Sequence, residues 1–218
     1  MSEPVERHLE IRKTARYWVL GADVAQPQEV WVVLHGYRQL AERFLRRFRH
    51  LADGTRRIVA PEALSRFYVG RSAGRHGSES LVGATWMTKE DRENEIRDYV
   101  RYLDQLPDLA DSPQARIVIL GFSQGVATAT RWATLGGVRP ARLVLWGDFL
   151  PPDLDLVRMK SELPDTDIVL VRGSEDPALS AELGAKEADR IAAAGLPHRI
   201  VTYEGGHDID PATLDDLL

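Results

Sequence analysis

The segment Gly121-Phe122-Ser123-Gln124-Gly125 constrains the fold of this chain more than any other stretch. It directly follows the apolar run from Arg116 to Leu120 and precedes an alanine-rich stretch that predicts a helix. A Gly-x-Ser-x-Gly pattern between a buried strand and a helix is typical of a tight elbow that exposes the serine hydroxyl at the end of a sheet. At Gly121 and Gly125 a Cβ atom would collide with backbone where strand and helix approach. Ser123 is therefore the candidate nucleophile.

Strand and helix patterns alternate along the rest of the chain. The run from Val30 to Leu34 is continuously apolar, as in a strand buried on both faces. Other strands are predicted at 9–11, 17–20, 57–60, 116–120, 142–146, 168–172 and 198–203, and helices at 41–51, 91–106, 124–135, 153–162, 179–194 and from 211. A capping box of Thr88 and Asp91 is expected at the start of the second helix.

This alternation predicts an α/β fold. We expect a mostly parallel, doubly wound sheet of about seven or eight strands, flanked by helices. The prediction is a single domain over residues 1–218, with no room for a separate lid domain. The active-site cleft should therefore be open and shallow.

Composition narrows the function classes. The net charge is −5, so the chain has no general attraction for nucleic acid or an anionic membrane. The basic stretch 43–49 predicts a helix with its arginines on the solvated face. There is no cysteine, which excludes disulfides, thiolate metal sites and a cysteine nucleophile. No segment resembles a signal peptide or a membrane span, so a cytoplasmic protein without membrane anchoring is expected, as a monomer or homodimer.

A serine nucleophile needs a base with an apparent pKa near neutrality, which favours histidine. Of the six histidines, His35 and His207 follow predicted strands at the edge where Ser123 must also lie. His207 lies in the flexible loop Gly205-Gly206-His207 and is the predicted general base. His35 is interpreted as a packed loop anchor rather than a catalytic acid.

The base in turn needs a carboxylate to orient it. Asp176 follows the strand at 168–172, and the chain order Ser123, Asp176, His207 is the one expected for an α/β-hydrolase. Glu175 is adjacent and could compete, and Asp148, after the preceding strand, is the more serious alternative.

The oxyanion of the tetrahedral intermediate needs preorganised donors. The backbone N–H of Gln124 is one candidate, because it follows the nucleophile at a helix N-terminus. The loop His35-Gly36-Tyr37 follows the first buried parallel strand and predicts the backbone N–H of Tyr37 as the second. No His, Asp and Glu residues have metal-ligand spacing, so neither a metal nor a cofactor is expected.

The stretch 65–86 has no clear periodicity and is rich in Gly, Ser and Arg. A loop of this length in a compact domain is usually functional or mobile, so it is interpreted as a wall of the substrate site, with a bare surface excursion as the alternative. The predicted lining side chains are Phe67, Tyr68, Trp86, Met87 and Phe149, with ordinary core packing as the alternative for each.

Four motifs resemble the phospholipase/carboxylesterase family, the small α/β-hydrolases that include the acyl-protein thioesterases. They are 32–37, 121–125, 173–177 and 203–207. The segment 86–92 and the 65–86 loop look like a bacterial subgroup of uncharacterised esterases. Two departures concern Val126, where members often have a second glycine, and Tyr37-Arg38-Gln39, where they often have Leu-Gly-Asp.

The resemblance implies that residues 1–218 form a single α/β-hydrolase domain without a large cap domain. It also implies a hydrolase of carboxylic esters or thioesters. We expect a serine esterase that acts on small-molecule esters of small or medium acyl chains through a covalent acyl-enzyme. The alternatives are a thioesterase, lysophospholipase, amidase or lactonase on the same triad, or a non-catalytic binding protein with the hydrolase fold.

Overall fold

The core of the computed structural model, which describes residues 3–70 and 76–218, is a seven-stranded sheet. Its strands are β1 Tyr17–Leu20, β2 Glu29–Leu34, β3 Arg56–Pro61, β6 Arg116–Phe122, β7 Arg142–Trp146, β8 Asp167–Gly173 and β9 Arg199–Tyr203. A separate pair is formed by β4 Ser65–Tyr68 and β5 Val82–Thr85. The order in the large sheet is β1-β3-β2-β6-β7-β8-β9. Only β1 runs antiparallel to its neighbour among the described strands of this sheet, which confirms a mostly parallel sheet.

Helices cover both faces of the sheet. They are α1 Ala41–Leu45, continued by the 3₁₀ helix Arg46–Leu51, then α2 Arg92–Leu103, α3 Pro107–Ala110, α4 Gln124–Leu135, α5 Leu156–Glu162, α6 Ala181–Ala194 and α7 Pro211–Asp215. Residues of α2, α4, α5 and α6 pack on one face, and residues of α1, the 3₁₀ helix and α7 pack on the other. The doubly wound arrangement is confirmed. Within the described ranges, no helix has the length and apolarity to cross a membrane.

Burial of strand β2 on both faces explains why its sequence from Val30 to Leu34 is apolar throughout. Val30, Val32 and Leu34 belong to the core on one face, whereas Trp31 and Val33 belong to the core on the other. Successive side chains of a strand point to opposite faces, so a strand covered on both sides needs apolar residues at every position. Burial of this central strand fixes the position of the loop that follows it.

Two local predictions are wrong, one for residues 9–11 and one for the start of α2. Residues Leu9 and Ile11 are irregular and 85% and 77% exposed, because β1 already occupies the sheet edge beside β3. The capping box is also absent from this described segment. Asp91 has a left-handed backbone with φ of 46° and makes no side-chain cap bond. The backbone N–H of Thr88 instead donates to the carboxylate of Glu95.

The stretch 65–86 is not the featureless loop that the sequence suggested. Its described part forms the antiparallel pair β4 and β5, with Phe67 opposite Gly83. Residues 71–75 of the predicted loop lie outside the described residues. The lack of periodicity arises because both strands are short and Gly83 lies within one of them.

Candidate active site

The loops that follow five adjacent parallel strands meet at one edge of the sheet. Strands β2, β6, β7, β8 and β9 are parallel, so their carboxyl ends lie on the same side. In sheet order, the residues that follow these strands include Tyr37, Ser123, Asp148, Asp176 and His207. The fold therefore collects all the predicted catalytic groups at one place.

Ser123 occupies the tight turn between β6 and α4. Its backbone has φ of 54° and ψ of −123°, a conformation that is rare for a residue with a side chain. The Ser123 N–H donates to the carbonyl of Trp146 on β7 at 2.9 Å. A Cβ atom on Gly121 would lie 2.3 Å from the carbonyl oxygen of Gly125, and one on Gly125 would lie 2.2 Å from that of Leu34. Both glycines are required by the close approach of backbone, as predicted.

His207 and Asp176 form a hydrogen-bonded pair. His207 Nδ1 lies 2.7 Å from Asp176 Oδ2, and since an ionised carboxylate only accepts, Nδ1 carries the proton. The Asp176 side chain is fully buried, and its other oxygen accepts from the Ala178 N–H at 2.9 Å. The Nε2 atom of His207 is left to act as a base.

The His207 ring lies close to the nucleophile elbow. Its centroid is 5.0 Å from that of Phe122, the residue before Ser123. Among the described residues, no hydrogen bond joins Ser123 Oγ to His207, and such catalytic contacts often tighten only when substrate binds.

The two alternative acids occupy different environments. Glu175 is exposed, and its backbone N–H bonds to the Gly205 carbonyl. Asp148 is half-buried, and its carboxylate accepts from the Phe149 N–H at 2.8 Å. Burial raises the pKa of Asp148, and the negative charge of Asp176 acts in the same direction. The structure thus pairs Asp176 with His207 and places Asp148 beside that pair.

The loop after β2 reaches the serine through Gly36. A Cβ atom on Gly36 would lie 3.1 Å from Ser123 Cβ, so a larger residue would crowd the nucleophile. Among the described residues, neither the Tyr37 N–H nor the Gln124 N–H donates a hydrogen bond. Both donors therefore remain available to an oxyanion beside Ser123.

Hydrogen bonds to the strand pair hold this loop in place. The Arg38 N–H donates to the Ala84 carbonyl at 3.0 Å, and the Ala84 N–H donates to the Gln39 carbonyl at 3.1 Å. The Gly36 N–H donates to the Gln39 side chain at 2.8 Å. Arg38 itself has φ of 67°. These contacts fix the backbone on both sides of Tyr37.

The side chain of Gln124 was not assigned a role from the sequence. Its amide oxygen accepts from the Trp86 N–H at 3.1 Å, and its amide nitrogen donates to Thr85 Oγ1 at 2.9 Å and to the Met87 carbonyl at 3.0 Å. Gln124 therefore ties the start of α4 to the segment after β5. No spacing in the sequence indicates this contact, because the partners lie almost forty positions apart.

His35 is a buried anchor, in agreement with its interpretation from the sequence. Its Nδ1–H donates to the Gly36 carbonyl at 2.8 Å, and its Nε2 accepts from the Ala63 N–H at 3.1 Å. The Trp86 indole donates to the His35 carbonyl at 2.8 Å. Burial lowers the pKa of His35 from 6.5 to about 4. It is therefore neutral at neutral pH.

We expect the buried His35 to make the protein less stable as pH falls from about 6.5 to 4. The unfolded chain takes up a proton at about 6.5, whereas folded His35 stays neutral until about 4, so protonation favours unfolding over this window by about 3 kcal/mol. The free energy of unfolding, measured in urea at pH 7.5 and pH 4.5, should fall less between the two pH values in His35→Asn than in the wild type. The matched control is His198→Asn, an exposed histidine whose Nδ1 also bonds to a carbonyl. An unchanged pH dependence in His35→Asn would contradict this account.

The five predicted pocket residues differ in exposure. Phe67 is half-buried and stacks on Tyr37 with centroids 5.3 Å apart, and Tyr68 is 49% exposed. Trp86 is only 3% exposed and packs in the core, which favours core packing over contact with substrate. Met87 is partly buried on that core, and Phe149 lies under the Arg172 guanidinium at 5.1 Å. Contact of any of them with substrate stays a prediction.

Two further features lie away from Ser123, Asp176 and His207. A cavity of about 1020 Å³ lies between the N-terminal segment and α2, with Trp86 in its wall. The exposed side chains of Glu6, His8 and Asp91 offer ligand atoms within 4.8 Å of one another. The sequence did not indicate this trio, because Asp91 is distant along the chain.

Fold and site together define an α/β-hydrolase, and comparisons with known proteins agree. The model of the family Phospholipase/Carboxylesterase matches residues 21–218. Acyl-protein thioesterase 1 of Gibberella zeae is 32% identical over 108 residues, which cover 47% of this chain and 45% of that protein. The match thus spans less than half the length of that relative.

Solved structures share the fold. Zea mays acyl-protein thioesterase 2 has a TM-score of 0.64 and 17% identity, covering 94% of this chain and 96% of its own. The Bacillus cereus carboxylesterase has a TM-score of 0.60 and 15% identity, covering 93% and 91%. The chain belongs to the phospholipase/carboxylesterase family of serine hydrolases. The resemblance found in the sequence is confirmed.

Proposed function

We propose that this protein is a carboxylesterase that uses Ser123, His207 and Asp176 as a catalytic triad. The observation that carries the proposal is the 2.7 Å hydrogen bond between His207 Nδ1 and Asp176 Oδ2, at the sheet edge that also holds the strained Ser123 elbow. A buried carboxylate on Nδ1 fixes the tautomer in which Nε2 can accept a proton.

In the first half of the reaction, His207 Nε2 removes the proton of the Ser123 hydroxyl while Oγ attacks the ester carbonyl carbon. The N–H groups of Tyr37 and Gln124 donate to the oxyanion that forms. The imidazolium then gives its proton to the departing alcohol as the C–O bond breaks. The acyl group stays on Ser123.

In the second half, His207 takes a proton from water, whose oxygen attacks the acyl carbon. Collapse of the second oxyanion releases the carboxylic acid and returns the proton to Ser123 Oγ. All these groups belong to the chain, so the proposal needs neither a metal nor another cofactor.

The substrates proposed are small-molecule esters of small or medium acyl chains. Support comes from the stacked Tyr37 and Phe67, which border the proposed oxyanion donor with apolar surface. Thioester hydrolysis is the second candidate, because two of the similar proteins are named acyl-protein thioesterases.

A fluorophosphonate probe and a substrate panel test the proposal. We expect labelling of the wild type at Ser123, and hydrolysis of p-nitrophenyl acetate and butyrate faster than that of acyl-CoA substrates with the same acyl groups. Faster acyl-CoA hydrolysis would favour the thioesterase. Absence of labelling in folded protein would support a non-catalytic relative instead.

The single domain over 1–218, the cytoplasmic location and the monomeric or homodimeric state stay predictions. Limited proteolysis, cell fractionation and size-exclusion chromatography with light scattering would test them.

A further inference from the structure

A second carboxylate lies beside the proposed catalytic pair. Asp148 is the second residue after β7, and β7 lies between β6, which leads to Ser123, and β8, which leads to Asp176. The loop that starts at Gly147 thus runs between the nucleophile and the acid.

The backbone at Gly147 comes close to both members of the His207–Asp176 pair. Gly147 has φ of 73°, and a Cβ atom there would lie 3.4 Å from His207 Nδ1 and 3.5 Å from Asp176 Oδ2. These are ordinary van der Waals distances, so it is the positive φ that favours glycine at this position. The carboxylate of the next residue, Asp148, accepts a hydrogen bond from the Phe149 N–H and interacts electrostatically with both members of the pair.

The charged groups that act on Asp148 are few. His207 attracts its carboxylate and Asp176 repels it. The ion pair of Arg172 and Glu187 comes from β8 and α6, and it packs against Phe149 and Leu150 rather than against the Asp148 carboxylate. Nothing among the described residues gives Asp148 a salt bridge to Lys or Arg.

We propose that Asp148 is a second acidic partner of His207, a positioning residue that stabilises the imidazolium together with Asp176. This inference rests on the proposed function. Two carboxylates near one imidazole favour its charged form more than one does, by Coulomb attraction in a partly buried site. Asp148 is then also able to support His207 when Asp176 is lost.

The kinetic test compares Asp148→Asn, Asp176→Asn and the double variant, with p-nitrophenyl butyrate as substrate. In Asp148→Asn the rise of kcat/KM with pH should have its midpoint lower by about half a pH unit to one unit, and its plateau about 5- to 30-fold lower. Asp176→Asn should keep at least about 10-fold more activity than the double variant. The matched control is Glu175→Gln, an exposed carboxylate next to Asp176, which should leave the midpoint unchanged.

A stability measurement separates this role from a structural one. Burial raises the pKa of Asp148 above its unfolded value, so its ionised form opposes folding above that raised pKa. Asp148→Asn keeps an acceptor for the Phe149 N–H and should raise Tm at pH 8 by about 1 to 3 °C, with no gain at pH 3.5. A purely structural Asp148 would instead make the variant less stable.

Fluorophosphonate labelling tells the two proposals apart. An unlabelled, folded wild type would remove the proposed function and this inference with it. The role of Asp148 alone would be overturned by three results together. The wild type would be labelled, the midpoint of the pH profile would be unchanged in Asp148→Asn, and Asp176→Asn would be as active as the double variant. If Asp148→Asn does not fold, Asp148→Ser takes its place in each comparison.

Discussion

Replacing Ser123 by alanine is expected to lower kcat/KM for p-nitrophenyl butyrate by about 10⁵-fold or more. The hydroxyl oxygen is the atom proposed to form the acyl-enzyme, and alanine offers no nucleophilic atom on the strained elbow. The His207–Asp176 pair and the N–H donors would remain, so a small residual rate over water is expected. Initial rates on the high-pH plateau, divided by the concentration of folded protein, measure the loss.

The control for this substitution is Ser174→Ala. Ser174 is exposed in the loop that carries Asp176, so its loss should change kcat/KM less than about 2-fold. A Ser123→Ala variant that keeps a tenth or more of wild-type activity, with its fold intact by circular dichroism, would mean that another residue is the nucleophile.

Replacing Gly125 by alanine is expected to reduce the free energy of unfolding by about 3 to 5 kcal/mol. The new Cβ would lie 2.2 Å from the Leu34 carbonyl oxygen and 2.9 Å from its carbon. Both atoms are backbone of the central strand β2, which is buried on two faces and has little room to move. Urea denaturation followed by tryptophan fluorescence measures the change.

Gly137→Ala is the matched control, at the other end of the same helix. A Cβ atom there would lie 3.9 Å from Asp104 Oδ1, which is an ordinary van der Waals distance. Its unfolding free energy should stay within about 1 kcal/mol of the wild type. Equal losses in the two variants would show that close backbone approach is not what requires glycine at position 125.

Features encoded in a few adjacent residues were predictable from the sequence. The apolar runs of β2 and β6 indicated strands buried on two faces, and the elbow followed from glycines at fixed spacing. The pairing of Asp176 with His207 was predictable because both follow parallel strands and must lie at the same edge.

Features that depend on distant contacts were not predictable. The bonds of the Gln124 side chain join α4 to residues after β5, and the three described positions involved share no pattern in the sequence. The strands β4 and β5 are too short to show a periodic pattern of apolar residues. Leu9 and Ile11 alternate with polar residues as in a strand, but β1 already occupies the edge of the sheet where they could pair. Burial of Trp86 likewise depends on residues that are distant in the sequence, including His35, whose carbonyl accepts from the indole, and the core around Tyr99.

The backbone bonds between Ala84 and the loop around Tyr37 have a consequence for evolution. A Cβ atom on Gly83 would lie 2.5 Å from the Arg38 carbonyl oxygen, so the strand and the loop are fitted to each other. Because the proposed oxyanion donor Tyr37 lies in this loop, we expect an exchange of this strand pair with that of another family member to change kcat as well as substrate preference. Selection for a new substrate through this region is therefore constrained to keep position 83 as glycine and to vary the outward side chains instead.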